Sequence, residues 1–181
     1  MEEIKKIIAK AAFGQGTESF RKEVHINTEE RKKPAEILGT IITNAAISSC
    51  TLEGNVSNGK AVRIKGTFDV HLWYTQNGDS KAVKTGAKFS NVVMVYGQEA
   101  EKYSNEEVRA WIQKAPECLG TTIVDSPEGS GVKAAVEYEL GAEVVGLTTL
   151  NVKVINHVDF LQSFEEIPGE TGEIPDEYED D

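Results

Sequence analysis

The sequence predicts a mainly β protein, an antiparallel sandwich-like domain with two short helices, and three observations carry that prediction. Val, Ile and Thr number 44 of 181 residues against eight Leu, and side chains branched at Cβ suit a pleated surface. Two Asn-Gly pairs, at 58–59 and 77–78, sit between alternating segments, as a two-residue hairpin turn with positive φ requires. Several segments alternate apolar and polar residues with the period of two expected of half-buried strands.

The first element is read as helical. Ile4, Ile7, Ile8, Ala11 and Ala12 fall at helical spacing with Lys5, Lys6 and Lys10 between them. Gly14 and Gly16 follow as a stop. "FRKEVHI" then alternates, with Phe20, Lys22, Val24 and Ile26 on one side, and predicts a strand. "NTEERKKPAE" is a charged loop broken by Pro34, and "ILGTIITNAAISSCTLEG" supplies one long strand or two short ones. "AVRIKGTFDVHLWYTQ" and "KAVKTGAKFSNVVMVYG" flank the second Asn-Gly pair and make an antiparallel meander.

In "SNEEVRAWIQKA" the period changes. Ser104 stands three residues before Glu107, as in a capping box. Val108, Trp111 and Ile112 form an apolar stripe and Pro116 a stop, so a second short helix is predicted near 105–115. "LGTTIVD", "VKAAVEYEL" and "EVVGLTTLNVKVINHV" complete the strands. Residues 62–74 and 132–145 share a similar strand character without forming a convincing repeat.

Charge divides the chain. Residues 165–181 hold nine acids and no Lys or Arg, whereas the other 164 residues carry 21 acids and 19 bases. The expected organisation is a β domain over 1–164 and a disordered acidic tail over 165–181. A near-neutral body without a basic stripe argues against nucleic acid. No apolar run reaches the length of a membrane span, so no membrane insertion is expected. The N-terminal residues lack the basic start and unbroken apolar segment of a secretory signal, so a cytoplasmic site of synthesis is expected.

Catalytic and metal motifs are weak. In "FDVHLWYT" the period of two sends Phe68, Val70, Leu72 and Tyr74 to one face and Asp69, His71, Trp73 and Thr75 to the other. Asp69 and His71 are then i, i+2 neighbours, and no GxSxG-type nucleophile accompanies them. The plain reading is a core face and a partly covered polar face, with Trp73 as a candidate protein contact. His25 and His157 belong to no HExxH or His/Cys cluster. No cofactor is implied. Cys50 and Cys118 lie 68 residues apart without metal spacing; buried reduced thiols and disulfide crosslinking within or between chains both remain open. The tail acids Glu173, Asp176, Glu177, Glu179, Asp180 and Asp181 either confer solubility or dock basic partners.

"KKPAEILG" at 32–39, "VRIKGTFDVHLWYT" at 62–75, "PECLGTTI" at 116–123 and "VEYELGAEVVG" at 136–146, followed by an acidic tail, together resemble the outer spore coat morphogenetic protein CotE family of endospore-forming bacteria. Gly141 stands where that pattern carries a larger residue. The resemblance implies a non-enzymatic scaffold that self-associates around the developing spore from the mother-cell cytoplasm and ends in the outer coat. It also implies partners among coat proteins, including an inner basement-layer morphogenetic protein. On the residues alone, self-association has two candidate surfaces, the Ile4, Ile7, Ile8 stripe and Trp73. Cys50 and Cys118 are candidates for crosslinking, and the tail acids for partner recruitment. The competing reading is a ligand- or carbohydrate-binding β-sandwich module using Trp73 and Tyr74.

Overall fold

The structure is a computed structural model that describes residues 3–28, 32–56, 59–97, 103–126 and 129–154. Its elements are six strands: β1 (Glu3–Asn27), β2 (Glu36–Val56), β3 (Gly59–Gln76), β4 (Asp79–Gly97), β5 (Ser104–Ser126) and β6 (Gly129–Val154). They form one sheet in the order β2-β3-β4-β1-β6-β5, so the expected two-sheet sandwich is instead a single sheet. The chain divides into two compact units, Ala9–Thr148 and a smaller one of Met1–Ile8 with Thr149–Asp181.

Within Ala9–Thr148 the sheet curls and buries one face upon itself. From β3, Val62, Ile64, Phe68, Val70, Leu72 and Tyr74 enter the core, and from β6 Val132, Ala134, Val136, Tyr138, Leu140, Ala142 and Val144. Tyr138 stands at the centre, with ring centroids 5.1 Å from Phe89, 5.9 Å from Phe20 and 6.0 Å from Phe68. Its hydroxyl donates to Asn91 Oδ1 at 2.8 Å, which satisfies the one polar atom such a site buries.

The turn at 77–78 forms as predicted. Asn77 and Gly78 both have positive φ, 56° and 87°, and Gln76 pairs with Asp79 across it. The β2–β3 hairpin closes between Val56 and Gly59; Asn58 lies outside the described residues. β3 and β4 then pair without a register shift along their whole length.

Both predicted helices are strands. In β5 the burial runs at period two: Val108, Ala110 and Ile112 pack on the core, while Glu107, Arg109 and Gln113 face outward. Trp111 lies on the outer face opposite Gly141, where a Cβ on the glycine would collide with the indole. The glycine is the space the tryptophan fills. Ser104 and Glu107 flank a bulge at which Asn105 takes φ 49°, and Pro116 is buried within the next irregular stretch, where a residue without N–H is tolerated. In β1, Gly14 and Gly16 do not cap a helix. They admit the backbone carbonyls of Tyr96 and Met94 on β4, which a Cβ at either position would strike. β1 and β4 are joined there, with Gly14 opposite Gly97.

The hairpins β2–β3 and β5–β6 are related. β2 bulges between Thr43 and Ala46 opposite Asp69 and Thr67, and again between Ile47 and Ser49 opposite Gly66 and Lys65. β5 does so between Lys114 and Glu117 opposite Glu139 and Glu137, and between Cys118 and Gly120 opposite Val136 and Ala135. Each β6 position lies 70 residues after its β3 counterpart, as Glu139 after Asp69 and Val136 after Gly66. The strand order therefore reads as two meanders, β2-β3-β4 and β5-β6-β1, meeting at the β4–β1 pair. The likeness of 62–74 to 132–145 is one part of it.

The curl brings the two edge strands together. The Cys50 thiol on β2 donates to the Val108 carbonyl on β5 at 3.7 Å. Beside this seam Lys60, 1% exposed, pairs with Glu106, and its ammonium stands 4.9 Å from the Phe13 ring centre.

Candidate functional site

The outer face of β2–β3–β4 carries the side chains singled out in the sequence. Asp69, His71 and Trp73 lie opposite Thr43, Ile41 and Gly39 on β2 and opposite Gly86, Lys84 and Ala82 on β4. The Asp69 Oδ2 atom accepts from the Asn44 amide at 2.8 Å and pairs with the Lys84 ammonium at 2.8 Å. These two donors, Asn44 first, hold the Asp69 carboxyl below its usual value. A carboxylate so held is a weak base.

His71 Nε2 is hydrogen-bonded to Thr43 Oγ1 at 2.9 Å, and its ring stacks on Trp73 at 6.3 Å and 19°. Asp69 and His71 thus have separate partners and form no dyad. Asn44 reaches Asp69 because it sits in the β2 bulge with φ 54°. The only sequence sign of that bulge is an Asn inside a β-rich run, since Asn tolerates this conformation better than most residues.

Trp73 is 38% exposed and Tyr74 fully buried, so the two cannot share a stacking platform. Around Trp73, Gly39 and Ala82 leave open space, and Leu38 and Ile41 on β2 are each 52% exposed. Leu38 is the extra residue of a bulge between Ile37 and Gly39. Neither Leu38 nor Ile41 is marked out by the sequence, because both sit in a run that reads as continuous core.

In the smaller unit, Ile4 and Ile8 are 67% and 74% exposed, and Ile7, Leu150 and Val152 are exposed as well. Ile4 and Ile8 share a strand face and Ile7 takes the other, so the helical stripe expected of them is not formed.

The cysteines are free thiols. Cys50 contacts Val108, ten residues before Cys118 on the same strand, a separation of roughly 30 Å in extended chain. A disulfide needs Cα atoms within about 7 Å, so the two do not pair within this chain. The Cys118 thiol donates to the Gly120 carbonyl at 3.5 Å.

The outer face of β1, β6 and β5 is a ladder of opposite charges. Arg21 pairs with Glu137 at 2.9 Å, Lys133 with Glu23 at 2.8 Å and Arg109 with Glu143 at 3.5 Å. A shallow cleft between Glu23, Leu119, Gly120 and Lys133 lies here, its two charges already paired. Among the described residues no group of three His, Cys, Asp or Glu side chains is placed to hold a metal ion. His25 is exposed on β1. His157 and the tail acids Glu173, Asp176, Glu177, Glu179, Asp180 and Asp181 lie outside the described residues.

A family model for outer spore coat protein E (CotE) matches residues 3–180 of this chain. No curated protein and no solved structure matches it.

Proposed function

The chain belongs to the outer spore coat protein E family, which makes it a spore coat protein, and from that premise we propose that it is a non-enzymatic morphogenetic scaffold. It self-associates around the developing endospore from the mother-cell cytoplasm and recruits further coat proteins, an inner basement-layer morphogenetic protein among its partners. The match over nearly the whole chain carries this reading. The distribution of apolar side chains supports it: Ile4, Ile8, Leu38, Ile41 and Trp73 all stand in solvent, on strand surfaces that a second protein can cover. Recruitment is assigned to the tail, whose nine acids between 165 and 181 form a polyanion suited to Lys-rich partners. Cys50 and Cys118 are assigned to crosslinks between chains.

The test combines sedimentation of the purified protein over a concentration series with electron microscopy of spores lacking it. Concentration-dependent large species, together with spores missing their outer coat, are expected. A protein monomeric at every concentration, or a complete outer coat in its absence, overturns the scaffold reading.

A further inference from the structure

We propose that the outer edge of β4, from Ser80 to Val92, is a docking site at which an extended acidic segment of a different protein adds as a further strand. The proposal rests on the reading of this chain as a scaffold that recruits other proteins, and it places one recruiting site on the folded body.

Backbone contacts define the edge. β4 pairs with β3 at every position from Asp79 to Tyr96, but among the described residues it pairs with β1 only at Tyr96 and Gly97. The Tyr96 and Met94 carbonyls stand against Gly14 and Gly16 of β1, so the even-numbered residues of β4 turn their backbone groups away from β3. At Met94 the N–H donates to the Glu18 carboxylate at 3.1 Å, a side chain in place of a ladder carbonyl. Backbone direction alternates along a strand. Ser80, Ala82, Lys84, Gly86, Lys88 and Ser90 therefore point N–H and C=O at an edge that no described strand occupies.

The strands at the two ends of the sheet are poorer templates. β2 and β5 each break register at four places, and bulges blunt an edge against pairing with other chains. They also meet each other at the Cys50–Val108 contact. β4 carries no bulge against β3. A regular strand with unpaired N–H and C=O groups is a template for another strand. Such addition draws affinity from the main chain and specificity from alternate side chains.

Charge identifies the partner. Between Ser80 and Gly97, β4 holds three Lys and no acid, in a chain of net charge −11. Lys84 and Lys88 lie on the exposed outer face, four residues or roughly 13 Å apart. Lys84 pairs with Asp69 at 2.8 Å, and Lys88 has no ion pair among the described residues. A second copy fits badly, because antiparallel pairing of two β4 edges about Gly86 sets Lys84 against Lys88 twice, and like charges directly opposed repel. A strand with acids at i and i+4 sets a carboxylate beside each Lys. Its other face continues that of Val83, Thr85 and Ala87, half-buried or buried, and takes small or β-branched apolar side chains.

The probe is the peptide acetyl-Thr-Glu-Val-Ser-Val-Glu-Val-Thr-amide, added to the full-length chain while amide hydrogen exchange is followed residue by residue. In the protein alone the N–H groups of Lys84, Gly86 and Lys88 exchange fast, whereas those of Thr85 and Ala87, bonded to β3, exchange slowly. The peptide slows the first set about tenfold or more. Gly86→Pro removes one edge N–H and spares the β3 ladder, so it keeps Thr85 and Ala87 protected and loses the peptide. Lys88→Glu binds the peptide about three- to tenfold more weakly, and a peptide with Lys for both Glu ranks the two proteins in the opposite order. Slow exchange of the edge amides in the protein alone at every dilution, or undiminished binding by Gly86→Pro or Lys88→Glu, overturns the site and leaves the scaffold reading standing. Protection that grows with protein concentration alone assigns the edge to a second copy and overturns the acidic partner. Peptide binding by a protein whose loss leaves the outer coat complete keeps the site and removes the scaffold.

Discussion

Glu106→Gln is the most informative single change in the folded body, because it removes one half of a buried ion pair and keeps the shape. Lys60 is 1% exposed and its partner carboxylate is on a side chain 18% exposed. The ammonium also faces the Phe13 ring at 4.9 Å, a contact that softens its desolvation without replacing a counter-charge. Removing one member of a buried pair strands the other charge and costs about 3–5 kcal/mol. At roughly 2–4 °C per kcal/mol for a chain of this size, the midpoint of thermal unfolding falls by about 10 °C. Lys60→Met, an apolar side chain of similar length, leaves the Glu106 carboxylate without its counter-charge. That side chain is 18% exposed and keeps part of its hydration, so the loss is expected to be smaller than for Glu106→Gln, about 1–3 kcal/mol. The double variant recovers most of what Glu106→Gln loses. Urea unfolding of all four proteins, followed by circular dichroism, closes the cycle. A loss below about 1 kcal/mol for Glu106→Gln, or simple additivity in the double variant, refutes the claim that this pair joins β3 to β5 inside the curl.

Three further outcomes are expected. Gly78→Ala places a Cβ at φ 87° and destabilises the β3–β4 turn by about 1–2 kcal/mol, read from the urea midpoint. Asp69→Asn removes a carboxylate held below its ordinary value by Asn44 and Lys84. Because the folded value is the lower one, its stabilising effect is present at neutral pH and disappears as pH falls through that folded value. The stability gap between natural and variant protein therefore narrows below about pH 4; a gap constant from pH 7 to pH 3 contradicts the assignment. Gly141→Leu expels the Trp111 indole from the surface of β6, so in a Trp73→Phe background the fluorescence moves to longer wavelength, and an unmoved spectrum shows that the indole does not rest there.

Much of the fold was legible from the chain because the signals were local. Asn77-Gly78 specifies its turn through two residues that accept positive φ, and the alternation from Phe68 to Tyr74 assigns one face to the core by geometry alone. The helical predictions failed for a reason of arithmetic. Ile4 and Ile8, like Val108 and Ile112, are four residues apart, and a spacing of four returns to the same face in both a helix and a strand. Ile7 and Trp111 were left to decide between the two, and Trp111 sits outward over Gly141 rather than in a core stripe. The Ser104–Glu107 spacing that marks a capping box flanks a bulge equally well.

At the candidate site the sequence determined which side chains share a face: Asp69, His71 and Trp73 against Tyr74. It could not assign their partners. Asn44, Thr43 and Lys84 reach that face from β2 and β4 through register and a bulge, and those depend on contacts far apart in the chain. The strand order is likewise a tertiary outcome. β4 meets β1 across the close approach at Gly14 and Gly97, which single glycines in a sequence do not distinguish from turns. The burial of Lys60 against Glu106, 46 residues away, belongs to the same class. Turns and faces are decided by neighbours one to four residues apart, whereas register, closure and charge pairing are decided by which strands the curl of the sheet brings together.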